Sequence, residues 1–286
     1  MSNKNIASTL GRPIDLNYLP NVLITLMTVL VLVGGTIFQL VQGYTFVESI
    51  VLSGQVGVTV FITWTILREL DPDHDSSALI CSLTILILII VDFITTPSII
   101  PLLWLMLLFR IMNISTGLKP TFFDSTILFI SGLALMWYYS WIYGPVLSAV
   151  YLIVSKLPGY HVTYLYYGLA GLLISLIYML VGTHEISVQV DSMLYMWLIS
   201  PLILIYLISI IFMDDVRSKN DMGTNKISSK SIQLTRLILL KVVLMSLIFY
   251  GVDGLVAVSP LIIGMVILSL YFLVLNVRTF YARIPM

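Results

Sequence analysis

Charge is what this sequence lacks most. Asp, Glu, Lys and Arg make up 10% of its 286 residues, where a soluble domain carries about 25%. Hydrophobic residues make up 59%, and the mean hydropathy is +1.05. Such a chain has too little polar surface to cover a water-soluble globule. Its 14 basic and 14 acidic residues cancel, so no overall field draws in nucleic acid, which is excluded as a partner. Cysteine is nearly absent: Cys81 stands alone, and an intrachain disulfide is impossible. Histidine is scarce too. His74, His161 and His184 fall in separate loops, with no H-E-x-x-H spacing. No Walker loop, dinucleotide-binding glycine pattern or nucleophile elbow occurs, so the sequence assigns no metal, cofactor or catalytic residue.

Long apolar runs are what the chain does have. Runs near 20 residues are the transmembrane signature and predict an all-α, polytopic bundle whose partner is the lipid bilayer. The spans are expected at 20–42, 45–69, 78–94, 99–112, 125–142, 145–156, 163–181, 192–213, 234–256 and 260–277. A polar N-terminal segment, 1–18, precedes this single transmembrane domain of 19–286. The first apolar run is too long for the core of a cleaved signal and reads as a retained helix.

The stretch 125–156 reads either as one kinked helix or as two short ones parted at Gly144-Pro145. Charge decides between them. With about ten crossings, both termini cytoplasmic and Gly144-Pro145 an outer turn, every Lys and Arg falls in a cytoplasmic loop, tail or helix end, as the positive-inside bias requires. Lys241 is then expected to snorkel to the inner interface. Glu48, Glu185, Asp191 and Asp253 lie near the outer turns. This topology makes the chain a multi-pass protein of the cell membrane.

Charge concentrates in one place, Arg68-Glu69-Leu70-Asp71-Pro72-Asp73-His74-Asp75-Ser76-Ser77. Pro72 must stop the helix before it, and Asp75 or Ser76 is a natural cap for the next. Asp71, Asp73 and Asp75 alternate as D-x-D-x-D, a spacing able to wrap a hard cation in oxygen ligands. A calcium EF-hand loop starting at Asp71 would need Gly and Glu where Ser76 and Ser82 stand, so that reading fails.

The same topology brings Arg110, Asn113, Lys119, Asp124, Asp214, Asp215 and Arg217 to the same face. Glu69, Asp71, Asp73, Asp75, Asp124, Asp214 and Asp215 form a candidate acidic rim, with Arg68 and Arg110 as basic partners. Such carboxylates beside arginine could hold magnesium and a lipid-linked diphosphate. In placement the rim is similar to the Asp-rich cytoplasmic motifs of UbiA-type membrane prenyltransferases, although the N-D-x-x-D-x-x-x-D pattern is absent. Asp92, Asp253, Glu48 and Gln55 are the candidates inside the membrane, where a carboxylate normally faces a partner or water.

Gly54, Gly57, Pro101, Gly144-Pro145, Pro201 and Gly251 interrupt the apolar runs, as in carriers that bind substrate at broken helices. The reading favoured is a small secondary transporter or flippase-like carrier of a small or lipid-linked molecule. Two alternatives stand beside it. One is a lipid-phosphate enzyme at the acidic rim. The other is a non-catalytic assembly protein that uses the polar loop Asp214–Gln233.

Overall fold

The computed structural model describes residues 9–11, 14–158, 162–181 and 192–282, the last seven and residues 192–193 by backbone alone. His161, His184, Glu185 and Asp191 lie outside the described residues. The described chain is helical: α1 (Leu19–Val41), α2 (Phe46–Leu70), α3 (Asp75–Ile90), α4 (Ile99–Asn113), α5 (Phe122–Tyr138), α6 (Tyr143–Val154), α7 (Thr163–Val181), α8 (Ser192–Ile211), α9 (Ser229–Ala257) and α10 (Ser259–Ala282). Among the described residues there is no β-strand, only an isolated bridge between Lys219 and Lys226.

Five helices, α1, α2, α7, α8 and α9, are long and apolar enough to cross a membrane. Their outer faces are apolar. Leu26, Leu30, Val33, Ile37 and Phe38 of α1 are exposed, as are Leu172, Leu173 and Leu176 of α7. An apolar exterior on this scale would be insoluble in water.

The interior is built around α2, which packs against α1, α3, α4, α9 and α10, and around α4, which packs against α2, α5, α6 and α9. Helices α4 and α6 have only 15 and 12 residues, about 22 and 18 Å at 1.5 Å per residue. Neither reaches across a hydrocarbon core of about 30 Å unaided. Both are wrapped in protein: Leu105, Leu108 and Phe109 of α4 and Leu147, Val150 and Tyr151 of α6 are buried.

Small residues let the helices approach closely, the usual device where lipid offers no hydrophobic drive to association. A Cβ on Gly168 of α7 would sit 2.9 Å from the Leu152 backbone nitrogen of α6, and one on Gly171 would sit 2.9 Å from Ser148 Oγ. Gly57 of α2 likewise lies against the Thr28 carbonyl of α1.

The break expected at Gly144-Pro145 falls a few residues earlier. The turn is Tyr139–Ile142, while Gly144 and Pro145 lie in the first turn of α6. Proline fits there because the N–H it lacks has no helical acceptor in a first turn. Helix α9 begins at Ser229, five residues before its expected start, because Ser228 caps it by accepting from the Ser231 N–H. Near its far end, Gly251 has φ 58° and ψ −133°, a conformation essentially reserved for glycine.

The early start of α9 changes the place of Lys241, which lies 12 residues past the first residue of the helix rather than the seven its expected start implies. Its Nζ donates to the Pro145 carbonyl at 3.0 Å. The lysine is held between α9 and α6 and does not snorkel outward.

Candidate functional site at the charged end of the bundle

The two ends of the bundle differ in kind. At one end lie the N-terminal segment, the turn 71–74, the connection 114–121 and the loop 212–228. Cross-contacts tie them together: Thr9 Oγ1 to the Leu118 carbonyl at 3.4 Å, Asp221 N to the Ser115 carbonyl at 2.9 Å, and Ser231 Oγ to the Met112 carbonyl. The other end holds the short turns 42–45, 91–98 and 139–142, where Ser140 Oγ meets Tyr250 Oη at 2.8 Å.

The charged stretch lies at the first end, and its four carboxylates go to different partners. Glu69 turns inward and is 2% exposed. Its carboxylate accepts from Ser115 Oγ at 2.9 Å and Arg110 Nε at 3.3 Å, and Asn113 Nδ2 donates to its backbone carbonyl at 2.7 Å. Arg110 also donates to the Leu10 carbonyl at 2.6 Å. Asn113 Oδ1 in turn accepts from Thr235 Oγ1 of α9 at 2.9 Å. This chain of bonds staples the ends of α2 and α4 to α9. Each polar atom removed from water needs such a partner.

Asp71 ends α2 and accepts from Ser77 Oγ at 3.0 Å, with His74 Nδ1 at 2.9 Å. That contact with Asp71 raises the affinity of His74 for its proton, more than burial lowers it. Asp73 takes the backbone N–H groups of Arg217 and Ser218, at 2.9 and 2.7 Å. Burial alone would raise its pKa; the bonds from Ser218 and Arg217 outweigh that and hold the carboxyl below the usual range. Asp75 pairs with Arg68 and accepts from Tyr18 Oη. The D-x-D-x-D spacing therefore serves three separate contacts. Among the described residues no group of three His, Cys, Asp or Glu side chains is arranged to hold a metal ion.

The loop after α8 is folded onto this turn. Ser218 Oγ donates to the Pro72 carbonyl at 2.9 Å, Asn220 Oδ1 accepts from the Thr224 N–H at 3.0 Å, and Val216, Ile227 and Ile232 form a small apolar cluster beneath. Asp73 becomes a partition between two cavities. One, of about 280 Å³, lies toward Tyr18, Arg68, Asp75 and Lys219. The other, of about 260 Å³, lies between the turn and the ends of α8, α9 and α10.

The second cavity has two characters. Asp71, Asp73, His74, Arg236 and Asp214 supply charge, and Phe212, Leu268, Phe272 and Leu275 supply apolar wall. Arg236 is 6% exposed and donates through Nε to the Leu70 carbonyl at 2.9 Å, where a cation suits the negative end of α2. Among the described residues its two terminal nitrogens meet no acceptor, and the residue lines the cavity. Asp214 stands exposed at the mouth and makes no ion pair among the described residues.

No protein-family model, curated protein or solved structure matches this chain. Function has to be read from the geometry.

The remaining sequence candidates do not join this site. Asp124 is buried in the capping box of α5, accepting from the Thr121 N–H at 3.1 Å. Asp215 accepts from Ser229 Oγ at 3.3 Å. Glu48 closes the capping box of α2 with Thr45. Asp92 lies past the end of α3 with φ 55°, because that helix stops at Ile90, four residues short of expectation. Asp253 follows the Gly251 break. All three of these last carboxylates are exposed and belong to the other end. Gln55 is half-buried in α2, with no side-chain hydrogen bond among the described residues.

Arg236, Asn113 and Lys241 are the groups that sequence reading undervalued. The first was hidden because Ser229–Gln233 reads as loop, which leaves Arg236 looking like a flanking charge. A usable signal was present, since Ser231 and Thr235 stand four apart and make a polar helical stripe.

Proposed function

We propose that the protein is a multi-pass membrane carrier for a small or lipid-linked amphiphile, with the cavity between the acidic turn and α8–α10 as its entry site. The observation that carries this reading is the cavity's division into a charged floor and an apolar wall at a helix-end rim. A charged head would lie against Arg236 and a tail against Phe212, Leu268 and Phe272. Water-soluble substrates have no use for that wall, and simple hydrophobes have none for the floor.

In the same proposal all ten helices cross or enter the bilayer and the charged end faces the cytoplasm. Every described Lys and Arg except Lys241 belongs to that end, and the described ionisable carboxylates of the other end are Glu48, Asp92 and Asp253. The bias of basic residues toward the cytoplasmic face supports this orientation.

Proteoliposomes carrying fluorescent short-chain lipids test the proposal. Lipid in the inner leaflet should become accessible to a membrane-impermeant quencher faster than in protein-free vesicles, and Arg236→Gln should remove most of that gain. Equal rates with and without protein, across anionic, zwitterionic and neutral lipids, would sink the carrier reading.

A second reading, a lipid-phosphate enzyme, is favoured by one specific observation: Asp71, Asp73 and Asp214 line the same cavity as Arg236. It requires magnesium-dependent turnover of a lipid phosphate that Asp214→Asn abolishes. A phosphate-release assay with magnesium decides it.

A further inference from the structure

We infer that the ligand of this cavity is a zwitterionic amphiphile, its phosphate held by Arg236 and its amine by Asp214. This rests on the cavity being the binding site. The floor contains a guanidinium that is 6% exposed and spends only Nε on protein, at the Leu70 carbonyl. Its planar fork presents two further nitrogens, the geometry that matches phosphate oxygens.

An anion alone suits the remaining lining poorly. Asp71, Asp73 and Asp214 all border the same space, and His74 adds a second positive charge only when protonated. The three acids differ in what they have left to offer. Asp71 is occupied by His74 and Ser77, and Asp73 by the backbone of Arg217 and Ser218. Asp214 is not occupied within the described chain, and it stands at the exposed mouth. Tyr271 is also engaged, with Ser76 Oγ at 3.0 Å from its hydroxyl. A cation buried at the floor and a carboxylate open at the mouth call for a head whose phosphate enters first and whose ammonium trails. Phe272 and Leu275 of α10 and Phe212 after α8 leave an apolar wall beside that axis for the tail.

Native mass spectrometry of the full chain in detergent tests the inference, using short-chain phosphatidylethanolamine, phosphatidylglycerol and soluble glycerophosphoethanolamine. The first should be retained about tenfold over the second, the worth of one charged hydrogen bond. Asp214→Asn should bring the two lipids to equality. Arg236→Gln should weaken both by about tenfold or more, and Arg236→Lys, which keeps the charge and a donor toward Leu70, should recover part of the loss in a folded protein.

Phosphatidylglycerol binding as well as phosphatidylethanolamine, unchanged by Asp214→Asn, would overturn the zwitterion while leaving the cavity as a lipid site. Failure of both lipids to bind the unaltered protein would overturn the site itself. Glycerophosphoethanolamine competing at the same concentration as the lipid would support the head chemistry and overturn the lipid as its source.

Discussion

The two ends of the bundle carry carboxylates of opposite fate. At the charged end, Glu69, Asp71, Asp73 and Asp75 are each drawn into contacts with a different part of the chain: α4, the start of α3, the 212–228 loop and the N-terminal segment. At the other end, Glu48, Asp92 and Asp253 are exposed, and among the described residues their side-chain hydrogen bonds are confined to the local capping box of Glu48. The same chemical group is therefore a tertiary fastener in one place and a solvated terminus in another. What separates them is the length of loop available to fold back. The 212–228 loop reaches across from α8 to supply backbone N–H donors to Asp73, whereas the turn 42–45 offers Glu48 the N–H of its own helix cap, Thr45.

The sharpest way to break this contrast is to remove one partner of the buried pair. Arg110→Leu should destabilise the protein by about 3–5 kcal/mol, because it leaves the Glu69 charge buried and uncompensated. Glu69→Leu should cost a similar amount, and the double variant less than the sum. Thermal unfolding in detergent measures all three. If Arg110→Leu unfolds no earlier than Asp253→Asn, the two ends do not differ in the way described.

Gly251→Ala tests the sparser end. It forces a side chain into a backbone region essentially closed to it, at about 1–3 kcal/mol, so the melting temperature should fall even though no polar group is touched.

Asp73→Asn comes next, at about 1–2 kcal/mol for exchanging charged for neutral acceptance. Its more specific mark is local: trypsin should cut after Arg217, Lys219 or Lys226 faster than in the unaltered protein. An unchanged cutting rate would mean that the loop is held by its other contacts.

The pH dependence is smaller and has two limbs. His74 binds its proton more tightly when folded, so its contribution is complete below its ordinary pKa of about 6.5 and fades as pH rises through the raised value. Asp73 is the reverse. Its contribution is complete above its ordinary value of about 3.9 and fades as pH falls through the lowered one. Unfolding temperature should therefore peak between these limbs, and His74→Gln should flatten the alkaline one.

Asp92→Asn and Asp253→Asn should move stability by less than about 0.5 kcal/mol, as exposed substitutions do. Measured in the flipping assay, they also test whether the carrier needs these two groups. Unchanged transport would remove them from the mechanism.

Much of this molecule was legible in advance. The helical class followed from apolar run length, and the sequence placed α7 at the residues it occupies because apolar periodicity there runs cleanly between polar turns. Pro72 stopped α2 as its missing N–H demands, one residue beyond the expected end. The errors fell where polar residues belong to helices. Ser229–Gln233 reads as loop by composition yet forms the first turns of α9, because Ser228 caps it and Ser231 and Thr235 find Met112 and Asn113 on α4. That misreading concealed Arg236 and brought Lys241 too near the surface. The acidic stretch borders a cavity whose guanidinium, Arg236, comes from α9, far away in the chain.

The sequence by itself determined that this chain folds as helices, several of them long and apolar enough to cross a membrane, because more than half its residues are hydrophobic and they cluster in long runs. It also determined where the charge would gather, because proline and short polar segments leave charged groups nowhere else to go. Tertiary structure alone decided which charges neutralise one another and which stay open. Pairing depends on where helix ends meet in space, and residues such as Glu69 and Arg110, or Asp73 and Ser218, are brought within 3 Å or so by packing that no local pattern encodes.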